Sequence, residues 1–309
     1  MADTSSNMFG YDKNPSNIIP TKYTLDSKIK FRCHPGVSCF TACCGNIDII
    51  LTPFDILRLR RLLNITSDEL LLRYTTPTYI EKTDMPGVKI LLDEEGRCPF
   101  VTDQGCTIYE ERPSACRYYP VGMANFHQAG DEGADAEKFF FVVKEPHCKG
   151  HEEDKEWTIR EWRADQGVDL CDEMNNEWMQ LVMRRKSYGF QANLSEQGQK
   201  MFFMVSTNLE KFKSFVFESS FLDTYEIDDE TLEKIKNDDV ELMFFGFTYL
   251  AGALFGAKTL KIKKEKIQAK VQEIKASQGD REKEAEKVYE QLVADRDALM
   301  QELQSDNKK

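Results

Sequence analysis

Apolar residues at helical spacing mark the segment that begins at residue 52 of this chain. In Thr52-Pro53-Phe54-Asp55, the threonine can cap a helix, the proline suits its first turn and the aspartate favours the positive helix end. The apolar positions that follow predict a helix to about Leu63. A second start at Ser67 predicts another helix, which ends near Tyr74.

A second helical pattern fills most of the chain after residue 158. Apolar residues recur there at three- and four-residue steps, and Gly167 is a predicted break. Leu242–Ala257 is an uncharged, mostly apolar run that is shorter than the roughly 20 residues a membrane span needs, so a buried helix is predicted. Residues 258–309 are charged and predict one or two further helices.

Short strands are predicted only in the first half of the chain. Val88–Leu92 and Cys98–Thr102 flank an Asp-Glu-Glu-Gly turn and predict a hairpin, with Cys98 beside the turn. Phe139–Val143 predicts one more strand, and residues 1–30 predict an irregular arm.

These elements together predict an α+β fold. A small, irregular, cysteine-rich metal domain with short strands would pack on a mainly α-helical C-terminal half. The predicted division is an N-terminal arm (1–30), a cysteine-cluster domain (31–152), a helical domain (153–257) and a charged helical tail (258–309).

Composition and charge narrow the class of protein. The chain has 309 residues, of which 41% are hydrophobic and 30% charged, which excludes collagenous and wholly disordered chains. Its net charge of −12 argues against nucleic acid as a partner. A protein is therefore the class of partner or substrate that stays open. The N-terminus lacks a secretory signal pattern, which predicts a cytoplasmic location. The acidic residues at 131–137 predict a solvated turn.

Cysteine is the residue type that carries the predicted chemistry. Thiols stay reduced in the cytoplasm, so nine cysteines indicate metal ligands or redox groups more than disulfides. Thiolates are soft donors that suit Zn²⁺ or the corners of an iron–sulfur cluster, and eight of them suffice for two such sites or one. Which of the adjacent Cys43 and Cys44 would bind is left open. The predicted metal ligands are Cys33, Cys39, Cys43, Cys44, Cys98, Cys106, Cys116 and Cys148.

Other residues near these cysteines have predicted supporting roles. Arginines would offset the negative charge of a metal bound by thiolates, tyrosines would shield it from water, and a histidine could replace a thiolate. Cys171 stands apart in a helical pattern and is predicted to be a core residue. The arginines are Arg97, Arg112 and Arg117, the tyrosines are Tyr109, Tyr118 and Tyr119, and the histidines are His34 and His147.

Two motifs resemble a known family. The runs FRCHPGVSCFTACCGN (31–46) and CPFVTDQGCTIYEERPSACRYYP (98–120) resemble the bacterial cysteine-cluster proteins described as a zinc- or iron-chelating domain (YkgJ-like). The resemblance covers about residues 31–150 and implies metal binding by the eight cysteines, with Cys148 the least certain match. A distant resemblance to flagellin lysine methylase, which has the same domain, implies an oxygen-sensitive iron–sulfur cluster.

The sequence therefore predicts a cytoplasmic protein that holds an iron–sulfur centre, most simply [4Fe–4S], or zinc. Two alternatives stay open, an iron–sulfur-dependent enzyme that modifies a protein, as the methylase resemblance suggests, and a redox or metal sensor. No residue is assigned a catalytic role, and no nucleotide-binding fingerprint is present.

Overall fold

The computed structural model describes residues 21–80, 83, 85–126, 137–187, 194–266 and 268. Within them, helices are combined with short antiparallel two-stranded sheets, so the predicted α+β class is confirmed. The chain forms two compact units, one of Met1–Phe215 with Asp229–Thr259 and one of Val216–Asp228 with Leu260–Lys309. The four predicted domains stay a prediction.

The α-helices occupy much of the described chain. They are α1 (Pro53–Leu63), α2 (Ser67–Tyr74), α3 (Ser114–Tyr118), α4 (Ile159–Gln166), α5 (Val168–Ser187), α6 (Glu196–Thr207), α7 (Leu209–Glu218), α8 (Phe221–Thr224), α9 (Asp229–Asn237) and α10 (Asp239–Phe255).

The named strands pair two by two in the described chain. They are β1 (Lys28–Lys30), β2 (Thr75–Ile80), β3 (Met85–Ile90), β4 (Val101–Thr102), β5 (Gly105–Cys106), β6 (Val121–Phe126), β7 (Glu137–Val142), β8 (Glu156–Thr158), β9 (Tyr225–Glu226) and β10 (Lys261–Ile262). The pairs are β1 with β8, β2 with β3, β4 with β5, β6 with β7, and β9 with β10. Single bridges of Ile50 with Lys89 and of Tyr23 with Phe140 occupy the second edges of β3 and β7.

Capping residues place the helix starts where the sequence predicts them. Thr52 caps α1 in a reciprocal capping box with Asp55, and Thr66 does the same for α2 with Glu69. Thr158 caps α4, which ends at Gly167 with a φ of 64°, a left-handed conformation that glycine adopts without steric cost. The predicted break between α4 and α5 is thereby explained.

The predicted hairpin of Val88–Leu92 with Cys98–Thr102 is wrong. β3 pairs instead with β2, in a register that sets Thr75 opposite Ile90. Pro77 lies in β2 and makes that segment resemble a helix end, yet an isolated two-stranded sheet has free edges that tolerate a proline. Cys98 lies outside this hairpin and precedes β4.

The apolar run after residue 241 forms a buried helix. Leu242, Met243 and Leu250 of α10 are fully buried. No helix in the described ranges combines the length and apolarity needed to cross a bilayer. The prediction of a buried helix over this run is confirmed.

Several predicted segments fall wholly or partly outside the described residues. Residues 1–20 of the arm, most of the acidic segment 131–137, and the tail beyond residue 268 are not described. In the described part of the tail, the short strand β10 comes first, and residues 264–266 and 268 are helical.

Two separate hydrophobic clusters underlie the cysteine-rich region. Core 1 packs α1 and α2 against β3 through residues such as Leu59, Leu70 and Val88. Core 2 packs β6 and β7 against β1 and α4 through residues such as Phe140 and Ile159. Each cluster lies beneath a different part of the cysteine constellation.

A buried carboxylate joins α1 to the start of α3, the short helix that carries Cys116. The Asp55 carboxylate accepts hydrogen bonds from the Ser114 amide at 2.8 Å, the Ser114 hydroxyl at 2.7 Å and the Thr52 amide at 3.0 Å. Ser114 also accepts one from the Asn175 side chain of α5 at 3.1 Å. Burial raises the pKa of Asp55, and these donors oppose the rise.

Asp55→Ala should destabilise the protein by about 3 kcal/mol, because it leaves buried donors of Thr52 and Ser114 without an acceptor. Urea unfolding measures this. The matched control is Asp48→Ala, which removes an exposed ion pair with Lys89 and should cost less than about 0.5 kcal/mol. Equal losses in the two variants would contradict the role of Asp55.

Candidate metal centre

All nine cysteines are free thiols, and the eight predicted ligands come from four separate stretches of chain. The first stretch makes a tight turn just before its adjacent pair. Thr41 has a left-handed φ of 67°, and a short 3-10 turn follows at Ala42–Cys44. The turn places Cys43 and Cys44 among different neighbours.

Cys33, Cys39, Cys43 and Cys148 form the first thiol group. The backbone brings their segments together, because the Arg32 amide donates to the Gly150 carbonyl at 3.0 Å and the Lys149 amide donates to the Cys39 sulfur at 3.1 Å. Burial raises the pKa of Cys33 to about 11, and its neighbours Cys43, Cys39 and Cys148 add to the rise.

Cys44, Cys98, Cys106 and Cys116 form the second thiol group. The Cys98 amide donates to the Cys44 carbonyl at 2.9 Å, and β4 with β5 returns the chain so that Cys106 pairs with Val101. Cys116 is exposed as a residue, yet burial of its thiol raises the pKa to about 12, with further contributions from Cys98, Asp55 and Cys106. These thiols therefore share one electrostatic environment.

Each thiol group lies against its own hydrophobic cluster. Cys98 and Cys106 of the second group pack against core 1. Cys148 of the first group packs against core 2, together with Tyr119. The two groups therefore have different supporting elements.

The two groups meet at the Cys43–Cys44 pair. A hydrogen bond from the Cys44 thiol lowers the pKa of Cys43 to about 7, whereas the same contact raises the pKa of Cys44. The first proton therefore leaves Cys43 near neutral pH, and the second thiol of the pair is much harder to ionise.

Among the described residues, no three histidine, cysteine or carboxylate side chains are already arranged to hold one metal ion. The thiols of each group influence one another electrostatically, so they are neighbours that have not converged to ligand distances. Metal binding would draw them together, as is usual for sites whose ligands come from separate segments.

Two buried arginines lie beside the second thiol group. Arg112 and Arg117 are 7% and 6% exposed, and in the described part of the chain neither forms an ion pair with a carboxylate. Arg112 donates to the Tyr109 carbonyl and the Gln166 side chain, and Arg117 donates to three backbone carbonyls. Burying a cation with only neutral acceptors is costly unless a negative charge lies near.

The charge of Arg112 acts on the thiols of the second group. It opposes the burial that raises the pKa values of Cys106 and Cys116. Arg117 lies with Arg58 and Arg112 in a cationic cluster, and burial together with these neighbours lowers the pKa of Arg117. Arg97, also predicted to offset charge, is an exposed residue.

The three predicted tyrosines have different surroundings. Tyr109 stacks on the guanidinium of Arg112, 3.8 Å from its ring centroid, and Tyr118 donates to Asp172. The buried Tyr119 hydroxyl lies beside Cys148, which together with burial raises its pKa, but it makes no hydrogen bond of normal geometry. Such an orphaned hydroxyl is a donor available to an anionic sulfur.

The described histidines have protein partners. His34 pairs with Glu153 at 3.1 Å and accepts from the Gly36 amide, and His147 lies 3.4 Å from Glu145. His151 contacts the Val143 carbonyl, and burial lowers its pKa. These three histidines lie on the segments that carry Cys33 and Cys148 of the first thiol group.

Cys171 has the buried position predicted for a core residue, with no exposed surface and a contact of 3.8 Å to Arg58.

Sequence reasoning missed two supporting contacts, the one that Asp55 makes to the helix carrying Cys116 and the one that Gln166 makes to Arg112. Asp55 carries a sequence signal as a helix-capping residue, whereas nothing in the pattern identifies Gln166.

A family model matches the cysteine-rich region of the chain. Residues 32–159 match the model of the CxxCxxCC family, described as "Putative zinc- or iron-chelating domain". No curated protein and no solved structure matches the chain. The resemblance predicted from the two cysteine motifs is confirmed over these residues, and the resemblance to flagellin lysine methylase stays a prediction.

In metal-free protein, Cys43 should be the most rapidly alkylated of the eight thiols at pH 7. Its pKa of about 7 leaves roughly half of it as thiolate, whereas Cys116, with a pKa of about 12, stays protonated. Iodoacetamide labelling followed by peptide mass spectrometry at pH 6 and 8 measures this. Labelling of Cys43 should rise across that range, and faster labelling of Cys116 would contradict the assignment.

Proposed function

We propose, from the match of residues 32–159 to a zinc- or iron-chelating family, that this chain is a cytoplasmic metal-binding protein. Its cysteines supply the ligands, and the principal centre is a [4Fe–4S] cluster bound by Cys44, Cys98, Cys106 and Cys116. The protein-modifying enzyme and the redox or metal sensor remain predictions of the sequence.

The observation that carries the proposal is the charge balance around the second thiol group. Arg112 and Arg117 are buried cations with neutral acceptors only, in the part of the chain that the structure describes. Four thiolates around Zn²⁺ or a [4Fe–4S]²⁺ core carry a net charge of about −2, which would offset these guanidinium groups. The donor set and its surroundings therefore fit an anionic thiolate centre.

Iron is favoured over zinc by the composition of the second thiol group. Its segments bring four thiols and no histidine among the described residues, since the described histidines belong to the first group's segments. Iron–sulfur clusters are held mainly by thiolates, and nearby charge and hydrogen bonds set their potential. Zinc bound by four thiolates is the competing assignment, which metal analysis separates.

Each supporting residue has a definite task in such a centre. Asp55 bonds to Ser114 and so fixes the start of α3, which carries Cys116, and the Cys44 carbonyl accepts from the Cys98 amide. Arg112 and Arg117 compensate negative charge at the sulfur atoms, while core 1 excludes water from one side. A bound cluster would supply electron-transfer or Lewis-acid chemistry there.

Cys106→Ser and Cys116→Ser should lose the iron and sulfide of the principal centre and become less stable, because the ligands of one centre stabilise the fold together. Oxygen-free purification followed by iron, zinc and acid-labile sulfide analysis measures the loss. The control is Cys171→Ser, which changes a thiol that contacts Arg58 rather than the second group.

If the second thiol group binds one equivalent of zinc and the protein contains no acid-labile sulfide, the principal centre is a zinc site and not an iron–sulfur cluster. Equal iron, zinc and sulfide contents in Cys106→Ser, Cys116→Ser and Cys171→Ser would overturn the ligand assignment itself. A visible absorption spectrum of the anaerobic protein distinguishes the two metals independently.

Arg112→Gln should lower the reduction potential of the cluster by about 50 mV, because removing a nearby cation disfavours the electron added on reduction. Spectroscopic redox titration measures the potential. Arg97→Gln is the control, since solvent screens an exposed guanidinium and the expected shift is below about 10 mV. A higher potential in Arg112→Gln would contradict the role of Arg112.

A further inference from the structure

We infer that the domain holds two metal centres, and that Cys33, Cys39, Cys43 and Cys148 form the second one, a site for a single zinc ion. The inference rests on the proposed function, since it assigns a separate site to the cysteines that the principal cluster leaves over. A single centre would need only four of the eight thiols.

The supporting structure differs between the two thiol groups. The second group packs on core 1, formed by α1, α2 and β3, and its segments join through the Cys98 amide and Cys44 carbonyl. Cys148 of the first group packs on core 2, formed by β6, β7, β1 and α4, and the segments of this group join through Lys149 and Cys39. No ladder of a single sheet runs between them, because β4 with β5 and β6 with β7 are separate pairs.

Adjacent cysteines explain how one loop could serve both sites. Cys43 is close enough to Cys33 to raise the pKa of that thiol, whereas the Cys44 carbonyl accepts from the Cys98 amide at 2.9 Å. The thiols of Cys43 and Cys44 contact each other, so binding of two metals would break that contact. The 3-10 turn at Ala42–Cys44, preceded by the left-handed Thr41, permits this division. The peptide between Cys43 and Cys44 is therefore the boundary of the two sites.

Two donors already face the first thiol group. The Lys149 amide donates to the Cys39 sulfur at 3.1 Å, a bond that strengthens when the sulfur becomes a metal-bound thiolate. The Tyr119 hydroxyl is buried beside Cys148 without a partner of normal geometry. An anionic sulfur at Cys148 would satisfy this hydroxyl, which a packed neutral thiol leaves unsatisfied.

Zinc suits the first thiol group better than a second cluster does. Carboxylates of Glu145 and Glu153 lie on its segments, paired with His147 and His34, and no buried guanidinium is described beside it. Lys149, the cation that acts on Cys39, is exposed to solvent, so it compensates the extra electron of a reduced cluster less than a buried guanidinium does, whereas zinc has no redox chemistry. Four thiolates in a tetrahedron are a common closed zinc site.

The test compares metal contents of Cys39→Ser and Cys98→Ser, one from each group, with Cys171→Ser as the control. Apo-protein is loaded anaerobically with iron, sulfide and zinc, then desalted and analysed. The unsubstituted chain should bind about one zinc and about four iron with four sulfide. Cys39→Ser should lose zinc and keep iron, and Cys98→Ser should lose iron and keep zinc. The metal that each variant retains shows that it has folded.

Different outcomes of this experiment would contradict the two proposals. Loss of both metals in Cys39→Ser and in Cys98→Ser, or a chain that binds iron but never zinc, would overturn the second centre and leave the principal one in place. A chain that binds neither metal would overturn the proposed function itself.

Tyr119→Phe tests the first group by a separate route. Removing a hydroxyl that supports a ligand should weaken zinc binding about tenfold, measured by competition with a chelator. Tyr109→Phe is the control, because its ring stacks on Arg112 beside the second group. Unchanged zinc affinity in Tyr119→Phe would overturn the role of the hydroxyl.

Discussion

Hydrogen bonds from buried groups hold the cysteine loops of this protein, because the flanking strands are too short to do so. β4 and β5 have two residues each and add little ladder stability. The Asp55 carboxylate instead fixes Ser114 at two atoms, and Arg117 of the same helix, α3, donates to the carbonyls of Glu110 and Arg112 before it and of Gln166 in α4. The position of Cys116 depends on these buried bonds, each of which is costly to leave unmade.

This arrangement links the cysteine-rich region to the helices that follow it. Asn175 of α5 donates to Ser114, and Arg117 donates to the Gln166 carbonyl at the end of α4. A metal bound at the second thiol group would therefore stabilise these contacts as well as its own loops, since its ligands must converge before it binds tightly. The helical region serves as a frame for the site.

Local sequence signals predicted the helices near the site, because their causes lie within a few residues. Thr52 with Asp55 and Thr158 with Glu161 are capping pairs three residues apart, and Gly167 takes a left-handed conformation that ends α4. The prediction of the hairpin was wrong because its cause is not local. Pairing of β2 with β3 depends on contacts across the chain, and Pro77 obscures a strand that only the free edge of a small sheet permits.

The cysteine motifs identified the eight thiols, whereas their division into two groups needed the structure. Cys43 and Cys44 have the same type and adjacent positions, so spacing alone does not assign them to different neighbours. Tyr119 was predicted to shield the site, but its missing hydrogen-bond partner follows only from packing against core 2. Helix capping depends on local residue spacing, whereas the division of the cysteines into two groups depends on contacts between distant segments.

The charges around the two thiol groups differ, and this difference favours different metals at ligands that are chemically identical. The buried Arg112, which has no carboxylate partner among the described residues, acts on Cys106 and Cys116 of the second thiol group, and this favours a centre whose negative charge can increase on reduction. Carboxylate–imidazole pairs and the exposed Lys149 lie on the first group's segments, where no buried guanidinium is described that would compensate added negative charge. Because potential and metal preference depend on such surroundings as well as on the ligands, two four-thiolate sets in one small domain can serve different metals.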